Sequence, residues 1–202
     1  LGVSVEFPVS RLVVDPERFF LDKDEIMSKV GMGVIYEKTY TGNRLRKHEF
    51  CTDNFRNDLL DLYYFPHHDR LTELTEKSLL KNKKAIIVDC HSFPSTALPY
   101  ELDQTPNRPD ICIGTDRYHT PKIFEEVLYN AFSEMAYKVS INSPFSGSLV
   151  PLKYYKKNES VISVMIEINR SLYMDEEKTA INEKFEKVQK DIYKALKKVS
   201  LQ

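Results

Sequence analysis

The chain has 202 residues, a formal net charge of −1 and a hydrophobic fraction of 42%. A chain of this length suits one domain that folds without disulfides, and the near-neutral charge argues against a nucleic-acid partner. Its three cysteines do not indicate a disulfide framework, and no run of about 20 apolar residues indicates a membrane span. We therefore expect a single domain over residues 1–202, located in a reducing cytoplasm and without a membrane partner.

In the first half of the chain, short apolar runs and one periodic segment predict the secondary structure. Residues 12–14 are predicted to form a strand, and residues 33–36 are a weaker candidate. From residue 54 to residue 82, apolar residues recur at helical spacing, which predicts a helix interrupted near Pro66. Residues 85–89 form an apolar run that is typical of a strand buried on both faces.

The second half alternates between strand and helix signals. Residues 92–109 contain four prolines and are predicted to form a long functional loop. Thr120 and Pro121 predict a helix start, with the threonine as cap and the proline at the first helical position. Residues 139–141 and 161–168 predict strands, and residues 176–199 predict an amphipathic helix. The apolar side of that helix consists of Ile181, Phe185, Val188, Ile192 and Leu196.

This alternation of elements favours an α/β fold with a mainly parallel sheet. The strands predicted at residues 12–14, 85–89, 139–141 and 161–168 are expected to share that sheet, because short connections and crossover helices join neighbouring parallel strands. The C-terminal helix is expected to pack on one face of it.

The most informative segment is Asp89-Cys90-His91-Ser92, where an apolar strand ends in polar residues. In open α/β sheets, sites lie beyond the carboxyl ends of the strands, and neutral imidazole is a common zinc ligand. His91 is therefore a candidate ligand, with Asp89 as the carboxylate that fixes its tautomer if both face the same side. The alternative is a histidine that only caps the strand. The apolar setting of Cys90 predicts an inert buried thiol.

Glu167 is the second candidate, because it lies near the end of an otherwise apolar strand. An acidic residue there is costly unless it is paired or exposed at a site, and a glutamate can act as the general base on a metal-bound water. The alternative is a salt bridge between Glu167 and Arg170.

Arginines next to strand-like segments are the third feature. The guanidinium groups of Arg11, Arg18 and Arg170 can bind a carboxylate through two parallel hydrogen bonds. The alternative is that each is a surface residue, with Asp15 or Glu17 pairing with Arg11 or Arg18. His67 and His68 are adjacent on a predicted helix and point in different directions, so one of them can line a pocket while the other faces solvent.

Seven segments occur in an order that resembles the N-formylglutamate amidohydrolase family, and together they span nearly the whole chain. The first three are Ser10-Arg11-Leu12-Val13-Val14-Asp15 with Glu17-Arg18-Phe19, Gly31-Met32-Gly33-Val34-Ile35-Tyr36, and Tyr63-Tyr64-Phe65-Pro66-His67-His68. The others are Asp89-Cys90-His91-Ser92-Phe93-Pro94-Ser95, Pro109-Asp110-Ile111-Cys112-Ile113-Gly114-Thr115, Asn142-Ser143-Pro144-Phe145-Ser146-Gly147, and Glu167-Ile168-Asn169-Arg170-Ser171-Leu172-Tyr173-Met174-Asp175.

The family is similar to zinc carboxypeptidases and aspartoacylase-type deacylases. The resemblance implies a phosphorylase/hydrolase-like three-layer α/β sandwich with a mixed, mainly parallel sheet, one zinc ion, and hydrolysis of a small N-acyl (N-formyl) amino acid. It implies that His91 is a zinc ligand, that Glu167 is the catalytic acid/base, and that Arg11 and Arg18 bind the substrate. The other substrate-binding residues that the matching segments imply are His68, Asn142 and Arg170.

Two departures from the family pattern bear on function. Glu17 replaces the usual asparagine and adds negative charge where an anionic substrate is expected. The family also has an early Pro-His-Ser-Gly-like segment in its metal site, and nothing like it precedes Arg11. Catalytic zinc takes three protein ligands, so we expect either further ligands upstream of Leu1 or a lost site, and weak zinc binding by residues 1–202.

Two hypotheses follow for the function. The first is an active zinc amidohydrolase, which the retained His91, Glu167 and arginines favour. The second is a non-catalytic relative that keeps the fold and an anion pocket as a binding or regulatory domain. The sequence does not indicate the oligomeric state.

Overall fold

The computed structural model describes residues 2–50, 52–101 and 103–199. No helix in these ranges is both long and apolar enough to cross a membrane. The chain divides into two compact units, an N-terminal unit, Gly2–Glu76, and a C-terminal unit from Lys77 onward. The expectation of one domain over the whole chain stays a prediction.

The N-terminal unit is largely irregular in its first 50 residues and helical after them. Its core consists of Val14, Val34, Leu60 and Tyr64. Its helical elements are the 3₁₀ helices Ile26–Val30 and His48–Phe50, α1 (Asp53–Leu59), a π-helical turn (Leu60–Tyr64) and α2 (Phe65–Asn82), which ends in the C-terminal unit. The predicted helix over residues 54–82 is thus confirmed in type and extent. The π-helical turn ends where α2 begins. Pro66 lies in the first turn of α2, where the missing N–H of proline is tolerated.

The strand predicted at residues 12–14 is wrong. The segment is a turn in which the Val13 amide donates to the Ser10 carbonyl at 2.8 Å. The carbonyl oxygens of Leu12 and Val13 accept hydrogen bonds from the Arg46 guanidinium instead of from a neighbouring strand. The weaker strand candidate at residues 33–36 is reduced to one isolated bridge between Met32 and Tyr36. One valine in each segment, Val14 and Val34, is buried in a small core without belonging to a sheet.

The C-terminal unit is built on a four-stranded sheet. Its strands are β1 (Ala85–Phe93), β2 (Ile111–Thr115), β3 (Val139–Ile141) and β4 (Val161–Asn169), in the order β1-β4-β2-β3. β1 is parallel to β4, β2 is parallel to β3, and β2 is antiparallel to β4. The predicted α/β fold with a mixed, mainly parallel sheet is therefore confirmed, without a strand at residues 12–14.

Two helices cover one face of this sheet. They are α3 (Lys122–Glu134) and α4 (Phe185–Val199). Ile162, Val164 and Ile166 of β4 point into the core that these helices form. The strict alternation along β4 leaves its other residues on the opposite face, away from both helices.

Three details of the C-terminal unit differ from the sequence predictions. α4 begins at Phe185 and not at residue 176, because a small two-stranded sheet of β5 (Met174–Asp175) and β6 (Ala180–Ile181) precedes it. Ile181 is therefore exposed and does not belong to the apolar side of the helix. Thr120 does not cap α3, since its hydroxyl donates to the Ser163 carbonyl at 2.6 Å and Pro121 is the cap residue.

Candidate active site

Four polar side chains form a row across the sheet, one on each strand. The register pairs His91 with Glu167, Glu167 with Cys112, and Cys112 with Ser140. Residues that are directly opposite in a sheet point to the same face, and this face lies away from α3 and α4. We call His91, Glu167, Cys112 and Ser140 the polar row. His91 and Glu167 lie next to each other on the same face of the sheet.

The sheet also brings Asp89 to His91. β1 runs to Phe93, so His91 lies inside the strand and not beyond its end as predicted. Asp89 and His91 are two positions apart on β1, so their side chains point to the same face of the strand. Asp89 Oδ1 accepts a hydrogen bond from His91 Nε2 at 2.8 Å. Both side chains are largely buried, with 9% of Asp89 and 16% of His91 exposed. The proton on Nε2 that this contact assigns leaves the ring lone pair on Nδ1.

Glu167 is 8% exposed and lies in a strand that is buried along almost its whole length. The salt bridge with Arg170 that the sequence allowed as an alternative is not formed. Arg170 instead donates to the hydroxyl and the carbonyl of Ser92, both at 3.2 Å. Ser92 follows His91, so Arg170 ties the end of β1 to the end of β4.

Residues 142–150 cross the polar face, and we call this segment the strap. Cys112 Sγ donates to the Phe145 carbonyl at 3.2 Å, and the Leu149 amide donates to Asp89 Oδ2 at 3.3 Å. The Leu149 carbonyl accepts from Ser163 Oγ at 2.7 Å. The strap thus contacts β2, β1 and β4 in turn and forms a wall beside the polar row.

Two residues allow the strap to lie this close. Asn142 has a φ of 57°, and its side chain accepts from the Thr115 amide at 2.8 Å and donates to the Thr115 hydroxyl at 2.7 Å. Gly114 faces the strap, and a Cβ there would lie 2.5 Å from the Gly147 carbonyl oxygen. The structural contacts of Asn142 are therefore with β2.

The described residues 94–101 and 103–110 belong to the loop that was predicted to be functional, and this loop packs against the strap. The Arg108 guanidinium lies 5.4 Å from the ring centroids of both Phe93 and Phe145. It is only 2% exposed and pairs with Glu101, while its Nη1 donates to the Pro94 carbonyl at 2.9 Å. These contacts fix the loop beside β1.

The prediction of a buried thiol at Cys90 is wrong. Cys90 is exposed, because it lies on β1 at the edge of the sheet. Cys112 is the buried thiol, and burial raises its pKa above the ordinary range. Cys51 lies outside the described residues. Cys112 was missed because nothing in its local sequence shows that it neighbours Glu167.

A second cluster lies in the N-terminal unit, in residues 10–18, which we call the arginine turn. Asp15 is fully buried and accepts from Arg11 Nη2 at 2.8 Å and from the Tyr36 hydroxyl at 2.6 Å. Arg18 Nε lies 3.5 Å from the same carboxylate. The turn thus brings Arg11 and Arg18 together on Asp15, and the pairing with Asp15 that the sequence allowed as an alternative is present.

His68 and Tyr64 hold the backbone of the arginine turn. His68 Nε2 lies 2.9 Å from the Pro16 carbonyl, and the Tyr64 hydroxyl donates to the Arg18 carbonyl at 2.8 Å. Burial lowers the pKa of His68 to about 4, so the ring is neutral at physiological pH. His67 points elsewhere, with its ring edge-on to Phe7 at 5.1 Å.

The predicted site residues therefore fall into two groups. His91 and Glu167 lie together on the C-terminal sheet, with Arg170 at Ser92 and Asn142 at Thr115. The other group, in the N-terminal unit, consists of Arg11, Arg18 and His68.

Two solved structures are similar to this chain. A crystal structure of N-formylglutamate amidohydrolase from Ralstonia eutropha JMP134 matches with a TM-score of 0.80 and 24% identity, covering 95% of this chain and 73% of that chain. A gene product from Agrobacterium tumefaciens matches with a TM-score of 0.61 and 20% identity, covering 94% of this chain and 69% of that one. At these identities the likeness shows the fold. No curated protein sequence matches the chain.

The family assignment comes from the sequence match. The family model described as N-formylglutamate amidohydrolase matches residues 2–174, which include the arginine turn, β1 and β4. The polar row, the strap and the arginine turn all lie inside the matched region. The chain therefore belongs to the N-formylglutamate amidohydrolase family.

Proposed function

We propose that the protein is a zinc-dependent hydrolase that cleaves the amide bond of an N-acyl amino acid such as an N-formyl amino acid, and that His91 is one of the three protein ligands that catalytic zinc takes. The observation that carries the proposal is the position of Glu167 directly beside His91 on one face of the sheet, in a member of an amidohydrolase family. A bonded Asp89–His91 pair and a buried glutamate side by side suit hydrolysis better than simple binding.

The donor set supports zinc as the metal. Imidazole and carboxylate are both zinc ligands, and a ligating histidine usually donates its other N–H to a carboxylate. His91 Nε2 already makes such a bond with Asp89, so Nδ1 is the nitrogen that would hold the ion. When bound, zinc supplies a Lewis acid that polarises an acyl carbonyl and favours the ionisation of water.

Glu167 would act as the general base and then as the general acid. Its carboxylate would take a proton from the attacking water and deliver it to the amine nitrogen as the amide bond breaks. Burial suits this role, because a carboxylate shielded from bulk water keeps the transferred proton for the leaving group. The acid and the free amine are the products, and no other reactant is needed.

The arginine turn would bind the amino acid half of the substrate. Arg11 and Arg18 carry guanidinium groups that match the geometry of a carboxylate. His68 would act on the substrate through the turn, because its ring nitrogen is bonded to the Pro16 carbonyl. The substrate-binding roles of Asn142 and Arg170 stay predictions, and in the structure these side chains hydrogen-bond Thr115 and Ser92.

The substitution Glu167→Gln tests this proposal. Glutamine has nearly the same shape and cannot accept a proton at neutral pH, so hydrolysis of N-formyl amino acids should fall by about 10²–10⁴-fold. The melting temperature and the zinc affinity should stay unchanged. The matched control is Glu159→Gln, an exposed glutamate next to β4, which should leave turnover intact.

Two results would contradict the proposal. Near-normal turnover in Glu167→Gln would make this glutamate a structural residue. A wild-type protein that binds amino acid carboxylates but hydrolyses no N-acyl amino acid would favour the non-catalytic binding domain, which the arginine turn alone would serve.

A further inference from the structure

The carboxylate of Asp15 is the centre of the arginine turn, and its contacts are more extensive than an ion pair requires. Oδ2 accepts from Arg11 and from the Tyr36 hydroxyl, and it lies 3.5 Å from Arg18 Nε. Oδ1 accepts from the Glu17 amide at 3.0 Å. This buried carboxylate therefore hydrogen-bonds Arg11 and the backbone of the turn, and it forms an ion pair with Arg18, which also lies 4.0 Å from Glu25 Oε1.

Burial differs sharply between the acid and the two bases. The Asp15 side chain is 0% exposed, whereas Arg11 is 47% and Arg18 is 22% exposed. The negative charge thus lies inside the unit, Arg11 extends from it toward solvent, and Arg18 is mostly buried beside it. A guanidinium carries N–H groups on three nitrogens, so Arg11 can still donate from Nε and Nη1 while Nη2 binds Asp15.

The position of Asp15 is itself fixed. Its amide donates to the Val34 carbonyl at 2.8 Å, and Tyr36 approaches the carboxylate from the same segment of chain. Burial, with the nearby Asp15 charge, raises the pKa of Tyr36 to about 12, so the phenol remains a donor at any physiological pH. Burial alone would lower the pKa of Arg11, but the Asp15 carboxylate raises it above the ordinary value and keeps the side chain charged.

We propose that Asp15 is a positioning residue that presents Arg11 and Arg18 together to one carboxylate group of the substrate. Two guanidinium groups this close repel each other, and the buried carboxylate offsets that repulsion while it sets their directions. Asp15 does not touch the substrate. The inference rests on the proposed function in that the ligand is the carboxylate of an N-acyl amino acid.

The opposite role would be competition, in which Asp15 occupies the arginines and weakens substrate binding. The two roles predict opposite signs for Asp15→Asn, which keeps the shape and removes the charge. If Asp15 positions the arginines, KM for an N-formyl amino acid should rise about tenfold or more, because a charge-assisted contact is lost. If Asp15 competes, KM should fall.

The experiment measures kcat and KM for N-formylglutamate and for the N-formyl compound whose carboxylates are replaced by carboxamides. Asp15→Asn should raise KM for the acid, change kcat by less than about threefold, and leave KM for the carboxamide unchanged, since the loss is in ground-state binding. Equal effects on both substrates, or an unchanged or lowered KM for the acid, would overturn the proposal.

Two additions keep the test decisive. Removing one partner of a buried ion pair can unfold the unit, so Tyr36→Phe is the second variant. Tyr36→Phe removes one hydrogen-bond donor from Asp15 and no charge, so it should raise KM for the acid by a smaller factor.

Binding of L-glutamate, measured by calorimetry, reports on carboxylate binding by the arginine turn and does not require turnover. Weaker glutamate binding by Asp15→Asn in a protein without hydrolytic activity would support this inference and refute the proposed function.

Discussion

The polar row and the arginine turn carry the chemistry of this chain, and they are held in place in different ways. The polar row lies on four strands, and the main-chain ladder fixes the position of each member. The arginine turn is irregular, and side chains from elsewhere in the unit hold its backbone, as His68 does at Pro16 and Arg46 at Val13.

This difference determines what a substitution changes. A strand keeps its register when one side chain is replaced, so a substitution in the polar row should alter chemistry and leave the fold intact. A turn held by side-chain-to-backbone bonds loses an anchor when one such side chain is replaced, because the buried carbonyl is left unsatisfied. Substitutions there should alter stability as well as binding.

The largest effect is expected for His91→Ala. The variant removes a metal ligand. Loss of a residue that only hydrogen-bonds a ligand costs about 10–100-fold in metal affinity, so His91→Ala should lower zinc affinity by more than that and should abolish turnover. Zinc affinity is measured by competition with a chelating dye and turnover by amine release. The control is His67→Ala, in the N-terminal unit, which should keep both properties. Zinc affinity within twofold of wild type in His91→Ala would exclude this residue as a ligand.

Gly114→Ala sharpens the comparison, because it displaces the strap beside the polar row and replaces none of the four side chains in that row. The new Cβ would lie 2.5 Å from the Gly147 carbonyl oxygen and would also contact Met165, so the strap must move. We expect a loss of about 1–3 kcal/mol in the free energy of unfolding, typical of overpacking. Urea unfolding measures it. Gly2→Ala is the matched control, since a Cβ at Gly2 meets nothing within 4 Å and should leave stability unchanged.

The smallest effect is expected at His68, as a pH dependence of stability. Its pKa is about 4 in the folded protein, below the ordinary value of 6.5, because burial disfavours the charged ring. The unfolded chain therefore binds more protons between pH 6.5 and pH 4, and stability falls as pH falls through that window, by at most about 1.4 kcal/mol per pH unit. His68→Gln should remove this component, and His67→Gln should keep it, in urea unfolding at pH 7 and pH 5. An unchanged pH dependence in His68→Gln would contradict the assignment.

The sequence indicated β1 and β4 because their residues are mostly apolar, and it indicated β3 through Val139 and Ile141. It also pointed to His91 and Glu167 as the chemical residues, since polar side chains in such runs stand out. It could not give the register that pairs them, because a shift of one residue moves every side chain of a strand to the other face. The same limit hid Cys112, which joins the polar row only through the pairing of β2 with β4.

The failures in the N-terminal unit have another cause. Val14 and Val34 are apolar because they are buried, and a run of three such residues cannot be distinguished from a short strand. The bonds that make residues 12–14 a turn come from Arg46, which is 33 positions from Val13. Contacts between a distant side chain and a carbonyl have no periodicity, so no sequence pattern indicates them.

The separation of paired residues along the chain also sets the order in which the parts can form. In the arginine turn, Arg11 and Asp15 are only four positions apart, so this contact closes a very short loop. The bond from Arg170 to Ser92, which joins the ends of β4 and β1, spans 78 positions and closes a long one. Long-range strand pairing is slow, because the entropy of loop closure is lost before the contacts form. We therefore expect the polar row to be among the last features to form, so that a nascent or partly folded chain has no hydrolytic centre.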